Sequence, residues 1–458
     1  MDDVVQEAVT GGAWIFLGSL SISLGGFVFW LVIAKLVGAE ALGVASAVVS
    51  CSGIAVTFAS AGLGIAVMRE VAIRELNALA ASMLLALVMG VGAAFLAAFL
   101  AHGLGYLDLV GIAFLLALAS TISTPLLSGL LGLERFRGYF AASFTGSLAK
   151  LLLGIAFAVL GFNVLAPLLG YLAYPVVAAI VAVILITRGP RADDVRLDPS
   201  GLKSLVSLTY SNYPYMFSNQ LLSMLSVYVF AFLVGEALST GTLYIALMIT
   251  LAISAIPRSI LNAALPIGAR RNADPFSEGF RIGLGLATPI IAVALAAPIL
   301  ILEAVSPELV GGANALRILL LSLAPLTALT AVIIKLNKDA EKGKLTTLGL
   351  TRLIVLVALL PILTRIIGVD GAAVAFLLAS ALLTPFAFKI EPRISRPAAI
   401  LWCIHLSVAI FAALAPVNEF VSAVIALAAS VVLMHVTKTY TITEYWNTVK
   451  TVMNTIFP

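Results

Sequence analysis

Leu79–His102 reads LAASMLLALVMGVGAAFLAAFLAH, an apolar run with no acidic or basic side chain before its closing histidine. At about 1.5 Å of rise per residue, it makes a helix of roughly 36 Å, enough to cross the ~30 Å hydrocarbon core of a bilayer. Hydrocarbon cannot satisfy backbone hydrogen bonds, so a spanning segment must be a helix. Comparable runs recur on both sides of this one, and the fold class follows: an all-α polytopic membrane protein.

The whole chain obeys the same reading. Its 458 residues are 62% hydrophobic and only 10% charged, with a mean hydropathy of +1.15. Soluble domains carry about 25% charged residues. No polar stretch is long enough for a separate soluble domain. Cys51 and Cys403 lie in apolar stretches, without a disulfide framework or zinc spacing. The start, Met1-Asp2-Asp3, lacks the basic region and cleavage site of a signal peptide, so the first apolar run reads as a retained helix.

The expected spans are 13–36, 41–68, 79–102, 108–133, 139–160, 163–187, 204–235, 238–264, 279–305, 312–336, 345–366, 370–390, 397–415 and 418–438, about fourteen helices in all. An even count puts both termini on one side. Loops on that side hold Arg69, Arg74, Arg135, Arg137, Arg188, Arg191, Arg196, Lys203, Arg270, Arg271, Arg281, Lys338, Lys342, Lys344, Arg393 and Arg396. The opposite side offers little beyond Lys35, Arg317 and Arg365. Basic residues favour cytoplasmic loops, which places both termini in the cytoplasm. The net charge of +4 is accounted for by these loops and does not point to nucleic acid.

An internal repeat organises the helices. Val37-Gly38-Ala39-Glu40-Ala41-Leu42 recurs loosely as Val234-Gly235-Glu236-Ala237-Leu238, and Gly161-Phe162-Asn163 resembles Gly368-Val369-Asp370. Offsets of about 200 residues imply two six-helix lobes related by an axis along the membrane normal. The expected division is 1–187 for the N-lobe, 188–203 for a cytoplasmic linker and 204–390 for the C-lobe. Residues 391–458 then hold two further helices and a C-terminal interfacial helix, with Trp446, Val449, Met453 and Phe457 on one side and Lys450 on the other.

Certain segments also carry a family resemblance. Gly18 to Glu70, with Ala34-Lys35-Leu36-Val37-Gly38 and Gly62-Leu63-Gly64 before Arg69-Glu70, resembles the start of polysaccharide-exporter flippases. Pro307-Glu308-Leu309-Val310-Gly311-Gly312-Ala313 followed by Leu316-Arg317-Ile318-Leu319 is similar to their helix 9 to 10 region, and Gly368 through Ala375 to their helix 11 to 12 turn. These are proteins of the multidrug/oligosaccharidyl-lipid/polysaccharide exporter superfamily, Wzx-type oligosaccharide flippases among them. The resemblance implies a two-lobed bundle in a prokaryotic cytoplasmic membrane. Its substrates would be lipid-diphosphate-linked sugars, moved by alternating access and without a cofactor. Relatives often carry an acidic residue in helix 7, where this chain reads Ser226-Val227-Tyr228-Val229.

A flippase needs polar stripes and buried positive charge for phosphate. Lys150 falls near the middle of predicted helix 5, as a cavity lysine for pyrophosphate or as a lysine held in a helix interface. Arg258 follows Pro257 in predicted helix 8, as a phosphate ligand or as a cytoplasm-facing residue if that helix ends early. Asn212, Tyr215, Asn219, Ser223 and Ser226 share one stripe of helix 7, read as lining a wet cavity. Ser46, Ser50, Gly53, Thr57 and Ser60 share a stripe of helix 2, read as small-residue packing. Arg69, Lys335 and Arg352 lie towards cytoplasmic helix ends, where the loop-charge bias accounts for them, and they could also form a basic vestibule. Arg317, Arg365 and Lys35 are the outer-side candidates for a gate, a release site or lipid head-group contact.

Absences rank the function classes. No Asp or Glu stands in the middle of a predicted helix, Glu303 coming nearest, whereas a cation-coupled drug antiporter needs such carboxylates. A membrane glycosyltransferase or polymerase would need clustered acids for metal and base work, and here they are scattered. The histidines His102, His405 and His435 are unclustered, and no P-loop is present. No catalytic or metal-ligating residue is expected. The leading expectation is a monomeric flippase for a lipid-linked anionic glycan, with membrane lipids as its other partners and with or without a glycan-assembly enzyme beside it.

Overall fold

The computed structural model describes residues 3–188, 199–220, 237–414 and 418–456. Among them there is no strand. The longer helices are α1 (Asp3–Ser60), α2 (Leu63–Gly103), α3 (Val110–Gly132), α4 (Phe136–Val159), α5 (Leu165–Thr187), α6 (Pro199–Gln220) and α7 (Ala237–Arg271). They continue as α8 (Phe276–Ala296), α9 (Pro298–Glu303), α10 (Ala313–Leu321), α11 (Leu323–Lys338), α12 (Lys342–Ala381), α13 (Thr384–Ile390), α14 (Ser395–Leu414), α15 (Glu419–Val436) and α16 (Ile442–Ile456). Among the described residues, 12 helical stretches are long and apolar enough to cross a membrane. One of these, Lys342–Ile390, carries two expected spans, and α6 begins the expected span that runs on outside the described residues.

Breaks fall where glycine or an unfavourable φ allows the chain to turn. Gly38 (φ 84) separates the first two expected spans within α1, and Ile367–Gly368 separates the eleventh from the twelfth within α12. The second span ends earlier than expected. At Gly62, φ is 92, and a Cβ there would lie 2.5 Å from the Thr209 carbonyl oxygen. Only glycine meets both demands cheaply. Leu63 to Arg74 is therefore a separate helical segment, which ends at Glu75 with φ 53. Of the two expected repeat pairs, Gly161 and Gly368 both have positive φ, while residues 234–236 lie outside the described residues.

The chain forms two compact units, residues 13–213 with 265–272, and residues 1–12, 214–264 and 273–458. In the first, α2 packs on α3, α4 on α5 and α3 on α5. Its core is lined by Ala45, Val48, Ala55, Ala93, Ala97, Ala113 and Ala117 with Leu116 and Leu168. Small side chains let helix backbones approach closely, the usual packing device where lipid removes the hydrophobic drive. In the second unit, α8 is the central element, flanked by α14, α15 and α11.

This packing corrects the reading of helix 2. The face of α1 that meets its neighbours is Ala45, Val48, Ser52 and Ala55, with the Ser52 hydroxyl reaching the Ala113 carbonyl at 3.1 Å. Ser46 and Ser50 are exposed, no atom lies within 4 Å of a Cβ built on Gly53, and the hydroxyls of Ser50, Thr57 and Ser60 bond back to their own helix.

Candidate functional site: two buried cations

Among the described residues, each unit contains one cation enclosed within a spanning helix. In the first it is Lys150, on α4, 3% exposed. Its ammonium lies 5.0 Å from the ring centroid of Tyr171, 5.6 Å from that of Phe29 and 5.8 Å from that of Tyr174. Tyr171 and Tyr174 come from α5 and Phe29 from α1. Gly154 and Gly170 make room for the Phe29 ring, since a Cβ on either would sit 2.5 or 2.9 Å from its Cε2. Among the described residues no carboxylate pairs with this lysine. Its ammonium is closed in by aromatic faces, which matches the lysine held in a helix interface and not the open cavity for pyrophosphate.

In the second unit the cation is Arg352, on α12, fully buried. The sequence reading places it towards a helix end; it stands instead well inside the first segment of α12. Its Nη1 donates to Ser218 Oγ at 3.3 Å and to Asn219 Oδ1, and its guanidinium carbon is 5.1 Å from the Tyr215 ring centroid. Nε and Nη2 find no acceptor among the described residues. Close approach of two backbones builds this arrangement. Gly349, one turn before Arg352, would bring a Cβ within 2.6 Å of the Tyr215 nitrogen. The Tyr215 hydroxyl bonds Thr330 Oγ1 at 3.0 Å, which locks the ring. An arginine stays protonated in a protein, and a buried guanidinium with no carboxylate partner and no acceptor for Nε or Nη2 among the described residues is a site with donors to spare.

The structure thus brings together three expected site residues, Tyr215, Asn219 and Arg352. Asn212 is fully buried and donates to the Leu208 carbonyl at 2.9 Å, and Ser223 lies outside the described residues. Arg258 is exposed on α7, which continues to Arg271, so it does not stand at a helix end. Arg69 pairs with Glu70. Of the outer-side candidates, Arg317 lies 3.8 Å from Glu419 and donates to the Leu295 carbonyl at 3.2 Å, while Arg365 and Lys35 are exposed.

Several functional-looking groups have little sequence signal. The aromatic partners of Lys150 are legible only as Tyr171 and Tyr174 standing three apart. Glu70 is fully buried, held by Arg69, by Arg74 at 3.2 Å and by the Ser204 hydroxyl at 3.0 Å. Glu391, 2% exposed, is held by Lys335 and by Arg393 at 3.0 Å, with Asp274 bonded to both cations. At the C-terminus, Arg281 joins Glu278, Glu444 at 2.7 Å and the Thr439 carbonyl at 2.9 Å, fastening α16 to α8.

The fold matches several solved transporters. A MATE transporter in complex with MaD3S superposes with a TM-score of 0.72 at 17% identity, over 86% of this chain and 97% of that one. A multidrug resistance MATE transporter of the MOP superfamily in an outward-facing conformation gives 0.69 at 18%, over 86% and 99%. A MOP superfamily transporter from Pyrococcus furiosus, whose binding pocket is described as reversed in polarity, gives 0.66 at 17%, over 86% and 96%. No curated protein sequence matches the chain. The fold is that of multi-pass transporters of the multidrug/oligosaccharidyl-lipid/polysaccharide exporter superfamily. A family model described as "Polysaccharide biosynthesis protein" matches residues 32–301, and the chain belongs to that family.

Proposed function

We propose that this transporter flips a lipid-linked anionic glycan, a polyprenyl diphosphate sugar, across the cytoplasmic membrane by alternating access. The observation that carries the reading is Arg352, a fully buried guanidinium without a carboxylate partner and with Nε and Nη2 unbonded among the described residues. Burying an uncompensated charge is expensive, and in a membrane protein such a group marks a substrate pathway. Its planar fork matches the oxygens of a phosphate. Asn219 and Tyr215 beside it would meet the sugar or the phosphate, and the exposed Arg258 would supply a second cation for the diphosphate. Because Arg352 is sealed in the state described, the substrate would reach it in another part of the cycle. Both termini would face the cytoplasm, and the membrane potential could act on the charged head group.

The test is translocation of a fluorescent polyprenyl-diphosphate sugar in proteoliposomes, with Arg352→Met measured alongside wild type. Loss of flipping in the variant is expected. Unchanged flipping would remove Arg352 from the pathway. The rival reading, a cation-coupled multidrug antiporter, draws support from the fold shared with multidrug MATE transporters. It would be favoured by dye export driven by a sodium or proton gradient without any movement of the glycolipid.

A further inference from the structure

Lys150 is paired with no anion among the described residues. What surrounds its ammonium is a set of three aromatic faces, all within 5.8 Å of their centroids. Each ring carries negative charge on its face, and attraction to a cation is strongest where water is excluded. The arrangement is braced from behind. Trp30 packs on Phe29 and on Tyr171 with centroids 5.3 Å apart in each case. Gly26 leaves the ammonium room, a Cβ there standing 3.6 Å from Nζ. A lysine near the middle of a span usually extends its stem towards a helix end to wet the charge; this one is held in place.

We propose that Phe29, Tyr171 and Tyr174 form a binding site for an organic ammonium ion, and that Lys150 fills it with a tethered ammonium of its own. The class of ligand is a small alkylammonium, because three converging π-faces recognise a compact cation with apolar substituents. The lysine acts as a specificity residue by keeping free organic cations out of this part of the first unit. Shortening it to alanine keeps Cβ, removes the charge and the other three carbons of the stem, and leaves a space with the shape of n-propylammonium. That amine crosses apolar surroundings as its neutral form and regains the proton in the cage. The proposal does not rest on the transport reading, since its readout is binding and not translocation.

The experiment compares purified wild type, Lys150→Ala and Lys150→Met with n-propylammonium and with 1-propanol, following tryptophan fluorescence and the midpoint of thermal unfolding. Lys150→Ala is expected to bind the amine about tenfold or more tightly than the alcohol, and to regain with it the midpoint lost on substitution. Wild type and Lys150→Met, whose cages are filled, should show no saturable binding of either. Adding Tyr171→Leu to Lys150→Ala should abolish the preference for the amine. Equal response to amine and alcohol would reduce the site to an apolar void and overturn the proposal; so would no response to either, or equal binding by wild type. Should Lys150→Ala not accumulate as a folded protein, the readout is its recovery when expressed with n-propylammonium. Recovery with the amine alone supports the cage, and no recovery, or equal recovery with 1-propanol, defeats it.

Discussion

Arg352 and Tyr215 form the closest pairing of charge and ring among the described residues of the second unit, the guanidinium carbon 5.1 Å from the ring centroid and both side chains almost completely buried. A buried charge without an opposite partner works against stability, and replacing it with an apolar side chain of similar length is often neutral or stabilising. Arg352→Met should therefore unfold at the same temperature as wild type or higher, while glycolipid translocation falls by at least about tenfold, the signature of a group kept for function. Thermal unfolding in detergent and flipping in proteoliposomes measure the two sides. A lowered midpoint with intact flipping would make Arg352 a structural residue.

The carboxylate of Glu70 should show the opposite balance. It is fully buried and is shared by Arg69, Arg74 and the Ser204 hydroxyl. Removing it takes away the buried carboxylate that Arg69 and Arg74 share in the segment after Gly62, where breaking a buried pair costs about 3–5 kcal/mol. Glu70→Ala should lower the unfolding midpoint markedly, and Arg74→Ala much less, because that side chain is 35% exposed and can rehydrate. Equal effects from the two would contradict a carboxylate-centred cluster.

Much of this architecture is legible in the sequence because the membrane imposes one rule on every span: about 20 apolar residues, helical throughout. Breaks at Gly38 and Gly368 are readable for the same reason, since glycine interrupts an otherwise uniform pattern. The break at Gly62 is not readable, because Leu63 to Met68 is apolar and looks like more of the same span. What sets it is the approach of Thr209, more than a hundred residues away. The candidate site divides along similar lines. Tyr215 and Asn219 fall on one helical stripe by spacing alone, but nothing local tells that Arg352 meets them, which depends on Gly349 letting α12 close on α6. Lys150 stands out as a charge in an apolar run. Its enclosure by Phe29, Tyr171 and Tyr174 comes from two other helices and leaves no mark beside it in the chain.

Gly349 offers a way to disturb the site without touching its polar groups. A Cβ at this position would lie 2.6 Å from the Tyr215 nitrogen and 3.2 Å from Pro214 Cβ, both on a helix that cannot yield locally. Overpacking of this kind costs about 1–3 kcal/mol. Gly349→Ala should lower the unfolding midpoint and reduce flipping by parting Tyr215 from Arg352. Gly343→Ala, with nothing within 4 Å of its Cβ, should change neither. Matched behaviour of the two variants, measured by the same two assays, would show that this approach does not govern the site.

The C-terminal clamp carries a pH dependence whose sign follows from Glu444. Burial pushes its carboxyl up, but donation from Arg281 and from the Thr441 N–H and hydroxyl outweighs this and holds it at about 2, against an ordinary value of 4.5. A folded-state value below the unfolded one means that the charged carboxylate favours the docked state. Its contribution is fully present above about pH 4.5 and is lost as the pH falls from there towards 2. Release of α16 should therefore begin on acidification below pH 4.5, read as a change in the emission of Trp446, which stands on this helix 68% exposed. Glu444→Gln keeps the shape and removes the charge, so its α16 should be loosened already at neutral pH and respond far less to acid. An unchanged acid profile in that variant would mean that the helix is held by its apolar side chains, with the ion pair contributing nothing measurable.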